Sequence, residues 1–450
     1  MSLALNEYIL DDIINITSNK VDTKNLVLQQ YISTENMLPD RKGICLAASM
    51  PSGKVNQFLK NDTLFSNIRT YFRKVWFASF DGGSSPDVLI FRTKDVEVLD
   101  PRFLYYLISD QKFIDYSDKT SKGAKMPRGD KSAILNYKTY LPTLSVQKRI
   151  SKILSDLDDK IYLNNQTNQT LESIAQAIFK SWFIDFDPVR AKIAAKQEGK
   201  DPELAAMCAI SGKSEEELQQ MSEDDFAELQ ATAALFPDEL VESELGDVPK
   251  GWFKTDLSIL ADLNVQSWTK KNCPEKVTYV DLSNTKWGVI QQTEEFIFEK
   301  APSRARRVLK IGDTIVGTVR PANGSYAFIQ RENLTGSTGF AVLSPKHKNY
   351  AEFIYIVATD KENIKRLSHL ADGGAYPAVS YDTVLNTPCI LPIENKDGVL
   401  NLFHKNVKEF YLLSASKFEE NNILASIRDT LLPKLLSGEL DVSCVQDEVA

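Results

Sequence analysis

Residues 144–183 read LSVQKRISKILSDLDDKIYLNNQTNQTLESIAQAIFKSWF, and this stretch restricts the fold more than any other. Its apolar residues recur in alternating steps of three and four: Ile150, Leu154, Leu157 and Ile161, then Leu171, Ala175, Ile178 and Trp182. That spacing is a heptad seam and predicts a coiled-coil helix. No Gly or Pro interrupts it. At ~1.5 Å per residue the helix would span ~60 Å, more than most single-domain helices. Between the two apolar blocks the seam holds Asn164 and Asn168. A buried amide there costs stability but fixes register and partner orientation.

The chain supplies its own partner. In residues 402–436, Phe403, Val407, Phe410, Asn421, Leu424, Leu431 and Leu435 fall where Ile150, Leu154, Leu157, Asn168, Leu171, Ile178 and Trp182 fall in the first stretch. Lys417 and Arg428 interrupt the second seam, so the helices are relatives rather than duplicates. The repeat extends upstream. Asn61-Asp62-Thr63-Leu64 with Ile68-Arg69 matches Gly312-Asp313-Thr314-Ile315 with Val319-Arg320. The helical run at 103–110 matches 353–360, Gly123 with Pro127 matches Gly373 with Pro377, and Leu141-Pro142 matches Leu391-Pro392. All pairs lie about 250 residues apart, in order.

The expected fold class is α+β: two mixed α/β domains in tandem, each followed by a long helix. The two helices pair as an antiparallel coiled coil, which gives internal pseudo-two-fold symmetry. The expected boundaries are 1–142 for the first domain and 143–184 for its helix. An acidic helical connector follows at 185–247, the second domain at 248–395, its helix at 396–438 and a tail at 439–450. In the first domain β-rich runs stand at 43–48, 75–80, 88–91 and 137–141, and Pro101 opens a helix. The connector reads as short exposed helices, with Ser214 and the glutamates after it as a capping signal.

Net charge is −8, which at first argues against a polyanionic partner. Its distribution reverses that inference. Residues 211–247 carry twelve acids and one base, while 1–142 and 248–395 each come to +3. The acidity is confined to the connector, and the globular domains are mildly basic. The five cysteines are scattered and read as cytosolic thiols. No apolar run reaches the ~18 residues of a membrane span, and the start lacks a signal-peptide pattern, so a cytoplasmic, membrane-free protein is expected.

Motifs for chemistry are sparse. The three histidines, His347, His369 and His404, are not spaced as a metal pair, and neither GxxxxGK[ST] nor a strand-linked GxGxxG occurs. Asp185-Phe186-Asp187-Pro188 lacks the second proline and the terminal aromatic of an aminomethyltransferase motif. Asp87, Asp110 and Lys112 have a nuclease-like spacing, but Asp360, the counterpart of Asp110, is followed by Lys361-Glu362, so the lysine position is not kept. No catalytic, cofactor-binding or metal-binding residue is therefore assigned. Two basic heads on a paired helical spacer suit a bipartite ligand, and double-stranded DNA is the obvious one.

At this point the chain resembles the specificity (S) subunits of type I restriction–modification enzymes along its whole length. The resemblance rests on Gly312-Asp313 through Thr318-Val319-Arg320-Pro321, on 337–343 and on Gly373 through Pro377. It rests also on Leu141-Pro142 to Gln147, on 177–183 with 185–188, on Leu235-Phe236-Pro237, on 247–252 and on 435–439. It implies two target-recognition domains and a spacer set by the helices. It also implies two methyltransferase (M) subunits docked on the chain and two restriction (R) subunits joined through them. S-adenosylmethionine, ATP and Mg²⁺ would then sit on those partners, and this chain would be non-catalytic. Candidate DNA contacts are Arg69, Arg73, Lys122, Lys125 and Arg128 in the first domain. In the second they are Arg304, Arg306, Arg307, Arg320, Asn323 and Tyr376. Here the first domain departs from the second, with Thr70 where Pro321 follows the arginine. Trp182, Phe183, Phe179 and Leu436 are expected between the helices or against M subunits. Two rival readings come from other classes: a self-contained Mg-dependent nuclease or DNA methyltransferase using Asp87, Asp110 and Lys112, and a coiled-coil scaffold whose heads bind carbohydrate or peptide.

Overall fold

The computed structural model describes residues 5–123, 126–243, 246–372, 374 and 377–442. The chain divides into two compact units, Met1–Asn164 with Glu419–Ala450, and Asn165–Phe418. The long helices run Leu144–Phe183 and Lys396–Ser437, so each unit contains part of both.

In the first unit, Asp158 meets Arg428 at 2.6 Å, Lys160 meets Glu420 at 3.5 Å, and the Asn164 Nδ2 donates to the Asn421 Oδ1 at 2.9 Å. Rising numbers on one helix face falling numbers on the other, so the pairing there is antiparallel. Ile150 and Leu154 are fully buried in one core with Leu432 and Leu435. In the second unit the Phe179 and Trp182 rings pack on Phe403 with centroids at 6.2 and 6.1 Å. Phe403 and Val407 are fully buried. Leu157, Ile161, Asn168, Leu171, Ile178, Phe410, Leu424 and Leu431 are half-buried, and no seam residue is exposed. The heptad spacing makes this so, because it keeps one stripe of each helix turned towards its partner.

Arg428, the residue that interrupts the second seam, is buried and ion-paired with Asp158, whose other oxygen accepts from the Tyr106 hydroxyl at 2.8 Å. In repeat register, Asp158 and Arg428 correspond to Tyr411 and Ala175, both buried in the second unit's apolar core. The matched positions thus carry an ion pair in one unit and buried core residues in the other.

Among the described residues each unit has an antiparallel pair of its first and last strands or their equivalents and two four-stranded sheets, and the second unit has two further short pairs. Asn6–Ile9 pairs with Lys138–Leu141, as Trp252–Asp256 pairs with Pro388–Pro392. The first sheet has one strand order in both units. It runs Ile14–Ile16, Val88–Thr93, Thr63–Ser66 and Val75–Phe77 in one, and Ala261–Leu263, Phe340–Pro345, Thr314–Gly317 and Tyr326–Phe328 in the other. The second sheets share a triplet of strands, Lys54–Phe58, Gly82–Ser84 and Tyr31–Ile32, matched by Ala305–Leu309, Leu334–Ser337 and Lys276–Val280. Their fourth strands lie on opposite edges. Lys20–Asp22 adds beside Lys54–Phe58, whereas Glu294–Ile297 adds beside Lys276–Val280.

Three local expectations differ from the structure. Residues 43–48 form no strand; they contribute only a bridge from Ile44 to Met37, because Asp40, Arg41 and Gly43 take positive φ and turn the chain. The connector is less exposed than its composition suggests. Its helices Pro202–Ser211, Glu215–Gln219 and Glu223–Ala233 close on buried Ala206, Met207, Leu218 and Ala233, while Glu215, Glu216, Glu217 and Glu223 face solvent. The turn-rich lead-in contains a hairpin, Leu240–Ser243 with Gly246–Pro249. Phe179, Trp182 and Phe183 are core residues, packed with Phe353, Phe403, Phe236 and Trp252. Among the described residues no helix is long and apolar enough to cross a membrane.

Candidate nucleic-acid interface

The repeated arginines anchor the site. Arg69 and Arg320 are exposed and left-handed, with φ 50 and ψ 61 for the first and φ 49 and ψ 63 for the second. Each opens a short 3-10 turn, Thr70–Phe72 or Pro321–Asn323, closed by a second left-handed residue, Arg73 or Gly324. Left-handed φ on a long side chain is strained, and the context must impose it. Here the context is a neighbouring loop. The Arg69 amide donates to the Pro127 carbonyl at 3.0 Å and the Arg320 amide to the Pro377 carbonyl at 2.7 Å. Bridges Ile68–Arg128 and Lys122–Arg128 in one unit match Val319–Ala378 and Asp372–Ala378 in the other. Thr70 therefore makes the same turn that Pro321 makes, without the proline.

These bonds bring Arg69 beside Lys122 and Arg128. The Lys122 ammonium pairs with Asp130, and Arg128 pairs with Asp87 at 3.1 Å, with 57% of its side chain exposed. Lys125 and Tyr376 lie outside the described residues. Arg73 is separated from this group. Its guanidinium turns back to Asp429 on the second long helix, 4.0 Å away, where Arg41 also binds. Burial and the adjacent Arg41 lower the Arg73 pKa. Burial would raise Asp429, but Arg41 and Arg428 hold it below the usual carboxylate range.

In the second unit, Asn323 is exposed on the turn that Arg320 opens. Arg306 and Arg307 lie on the strand Ala305–Leu309, with Arg304 just before it. Arg307 donates to the Ser267 hydroxyl at 3.2 Å and lies over the Tyr381 ring at 5.2 Å. Tyr381 bonds the Thr338 carbonyl at 2.6 Å, and the Thr338 amide bonds the Arg304 carbonyl at 2.8 Å. The Arg304 backbone is thus tied to the residue that holds Tyr381, while its guanidinium lies 4.0 Å from Asp281. Arg306 leaves on a different course, over Phe298 at 4.7 Å and back to the Ala305 carbonyl. The bulge between Ala305 and Arg307 explains the divergence.

Exposed aromatics beside the arginines were not singled out in the sequence. Tyr71 is 49% exposed and Phe72 39%, with ring centroids 4.7 Å apart. In the second unit Trp287 is 58% exposed and stands over the Gly324 turn. A contiguous turn motif exposes the first pair to inspection; Trp287 comes from a distant segment, and only folding brings it there.

The nuclease-like set does not form a metal centre among the described residues, where no three His, Cys, Asp or Glu side chains gather. Asp87 is engaged by Arg128, and Asp110 is buried at a helix start, its pKa raised by that burial.

A family model described as "Type I restriction modification DNA specificity domain" matches residues 6–173. The type I restriction enzyme HindI specificity subunit of Haemophilus influenzae is 30% identical, over 96% of this chain and 99% of that protein. The MjaIX specificity subunit of Methanocaldococcus jannaschii is 25% identical, over 76% of this chain and 69% of that protein. The crystal structure of a type I restriction–modification S subunit from M. genitalium shares the fold at a TM-score of 0.52, with 12% identity and 96% of each chain covered.

Proposed function

The chain belongs to the type I restriction–modification DNA specificity subunits, and we propose that it reads an asymmetric, bipartite DNA target through its two recognition units. One observation carries this reading: an exposed, left-handed arginine is built twice, on the same backbone bonds to a basic or Gly-rich loop. Strain maintained in duplicate at an exposed cation points to a use for that cation. Arg69, Lys122 and Arg128 in one unit, and Arg320, Asn323, Arg304 and Arg307 in the other, would divide into phosphate contacts that position and base contacts that specify. Because the surrounding residues differ, the two half-sites differ. The long helices set the gap between them.

Methyltransferase subunits, and restriction subunits through them, complete the enzyme. The exposed apolar residues of the long helices suit such docking: Tyr162, Ile423 and Ile427 in the first unit, Ile174, Leu412 and Leu413 in the second. S-adenosylmethionine, ATP and Mg²⁺ then belong to the partners. Mapping methylated adenines in the host genome tests the reading. A two-part asymmetric motif that disappears when this gene is deleted supports it; an unchanged methylation pattern overturns it.

A further inference from the structure

Trp287 occupies a backbone position that has a counterpart in the first unit. Its amide donates to the Gly324 carbonyl at 2.7 Å, as the Arg41 amide donates to the Arg73 carbonyl at 3.1 Å. Gly324 and Arg73 are the corresponding left-handed ends of the two arginine turns, and Trp287 and Arg41 are themselves left-handed, at φ 48 and 59. The side chains go opposite ways. Arg41 is buried and pairs with Asp429, whereas Trp287 is exposed. Tryptophan with positive φ is a genuine outlier, and an exposed indole gains little from burial to offset that strain.

The surroundings of Trp287 are those of a contact surface. Its ring lies on Gly324, where a Cβ would come within 2.6 Å of it, and meets Tyr326 edge-on at 6.0 Å. Lys286 reaches the Ser325 hydroxyl at 3.3 Å, and Asn323 and Arg320 stand on the turn beneath. In the first unit the corresponding turn itself carries exposed aromatics, Tyr71 and Phe72, where the second has Ala322 and Asn323. Each arginine turn thus has an exposed aromatic at it, carried by the turn itself in one unit and by a separate segment in the other. We propose that Trp287 is a specificity-determining residue of the second unit, contacting bases of its half-site as an apolar wedge against a base step.

This inference rests on the DNA-recognition reading, so the test separates the two. The full chain with its methyltransferase partners is titrated with a duplex bearing the mapped target and 2-aminopurine at successive purines of the second half-site. Wild type is expected to brighten 2-aminopurine at one step, as a base unstacks. Trp287→Ala is expected to abolish the brightening and weaken binding about tenfold, with Trp287→Phe restoring much of both. Gly324→Ala, which pushes the indole off its seat, is expected to behave like Trp287→Ala. Discrimination at the first half-site stays unchanged in all three variants, which shows that they are folded. Normal binding with no brightening, or a Trp287→Ala protein indistinguishable from wild type, overturns the role of Trp287 alone. If wild type binds the mapped duplex no better than random DNA, recognition by this chain fails, and the Trp287 proposal with it.

Discussion

Asp429 and Asp158 show how much one carboxylate can organise. Asp429 engages Arg41, Arg428 and Arg73, and Asp158 engages Arg428 and Tyr106, so a charged cluster runs from exposed Asp429 to buried Arg41 and Arg428 at the edge of the first unit's core. Removing one partner of a buried pair strands the other. Arg428→Met is therefore expected to destabilise the protein by about 3–5 kcal/mol in urea unfolding. The double variant Asp158→Tyr with Arg428→Ala installs the residues that the second unit uses in the same register, and most of the loss is expected to return. Thr70 offers the opposite case. Pro321 already occupies its counterpart position, and the buried Thr70 hydroxyl lacks a hydrogen-bond partner. Thr70→Pro is expected to raise stability by about 0.4–1 kcal/mol, because it restricts the unfolded chain without disturbing the turn. A lowered urea midpoint would refute that.

At the scale of elements, the long helices owe their pairing to the apolar seam and their register to a polar contact. Asn164 and Asn421 are buried, and the Asn164 Nδ2 donates to the Asn421 Oδ1. Asn164→Leu alone removes the amide that donates to the buried Asn421 Oδ1 and is expected to cost about 1–3 kcal/mol. Replacing both by Leu removes that penalty and is expected to give a chain more stable than wild type but with mixed oligomeric states, measurable by light scattering. A double variant that stays uniform would show that the amides do not fix register. The heptads were legible because a 3.5-residue period survives in the sequence whatever surrounds it. The sheets were legible only in part. The run at 43–48 has strand composition, yet positive φ at Asp40 and Gly43 diverts it. The opposite placement of Lys20–Asp22 and Glu294–Ile297 depends on which sheet edge each segment reaches, a non-local matter.

For the whole molecule, two unlike units imply separable effects on one target. Arg69→Ala is expected to relax only one half of the methylated motif, and Arg320→Ala only the other, each at roughly 1–3 kcal/mol if the side chain reads a base. Relaxation of both halves by either variant would contradict independent reading. DNA affinity is expected to fall steeply with salt, and removal of a phosphate-contacting cation to reduce the slope. The order of residues alone reveals the tandem repeat, the two long helices with their seam, the basic heads and the acidic connector, because periodicity, repetition and charge are local properties that can be read along a chain. It also placed Arg69 and Arg320 at matched positions. Tertiary structure alone decided what each cation faces: Arg73 turned inward to Asp429, Arg306 drawn onto Phe298, Arg307 onto Tyr381. It alone set Trp287 on Gly324, across a separation in sequence that no local pattern records. The physical reason is that a side chain's role depends on which distant backbone its own bonds hold it against.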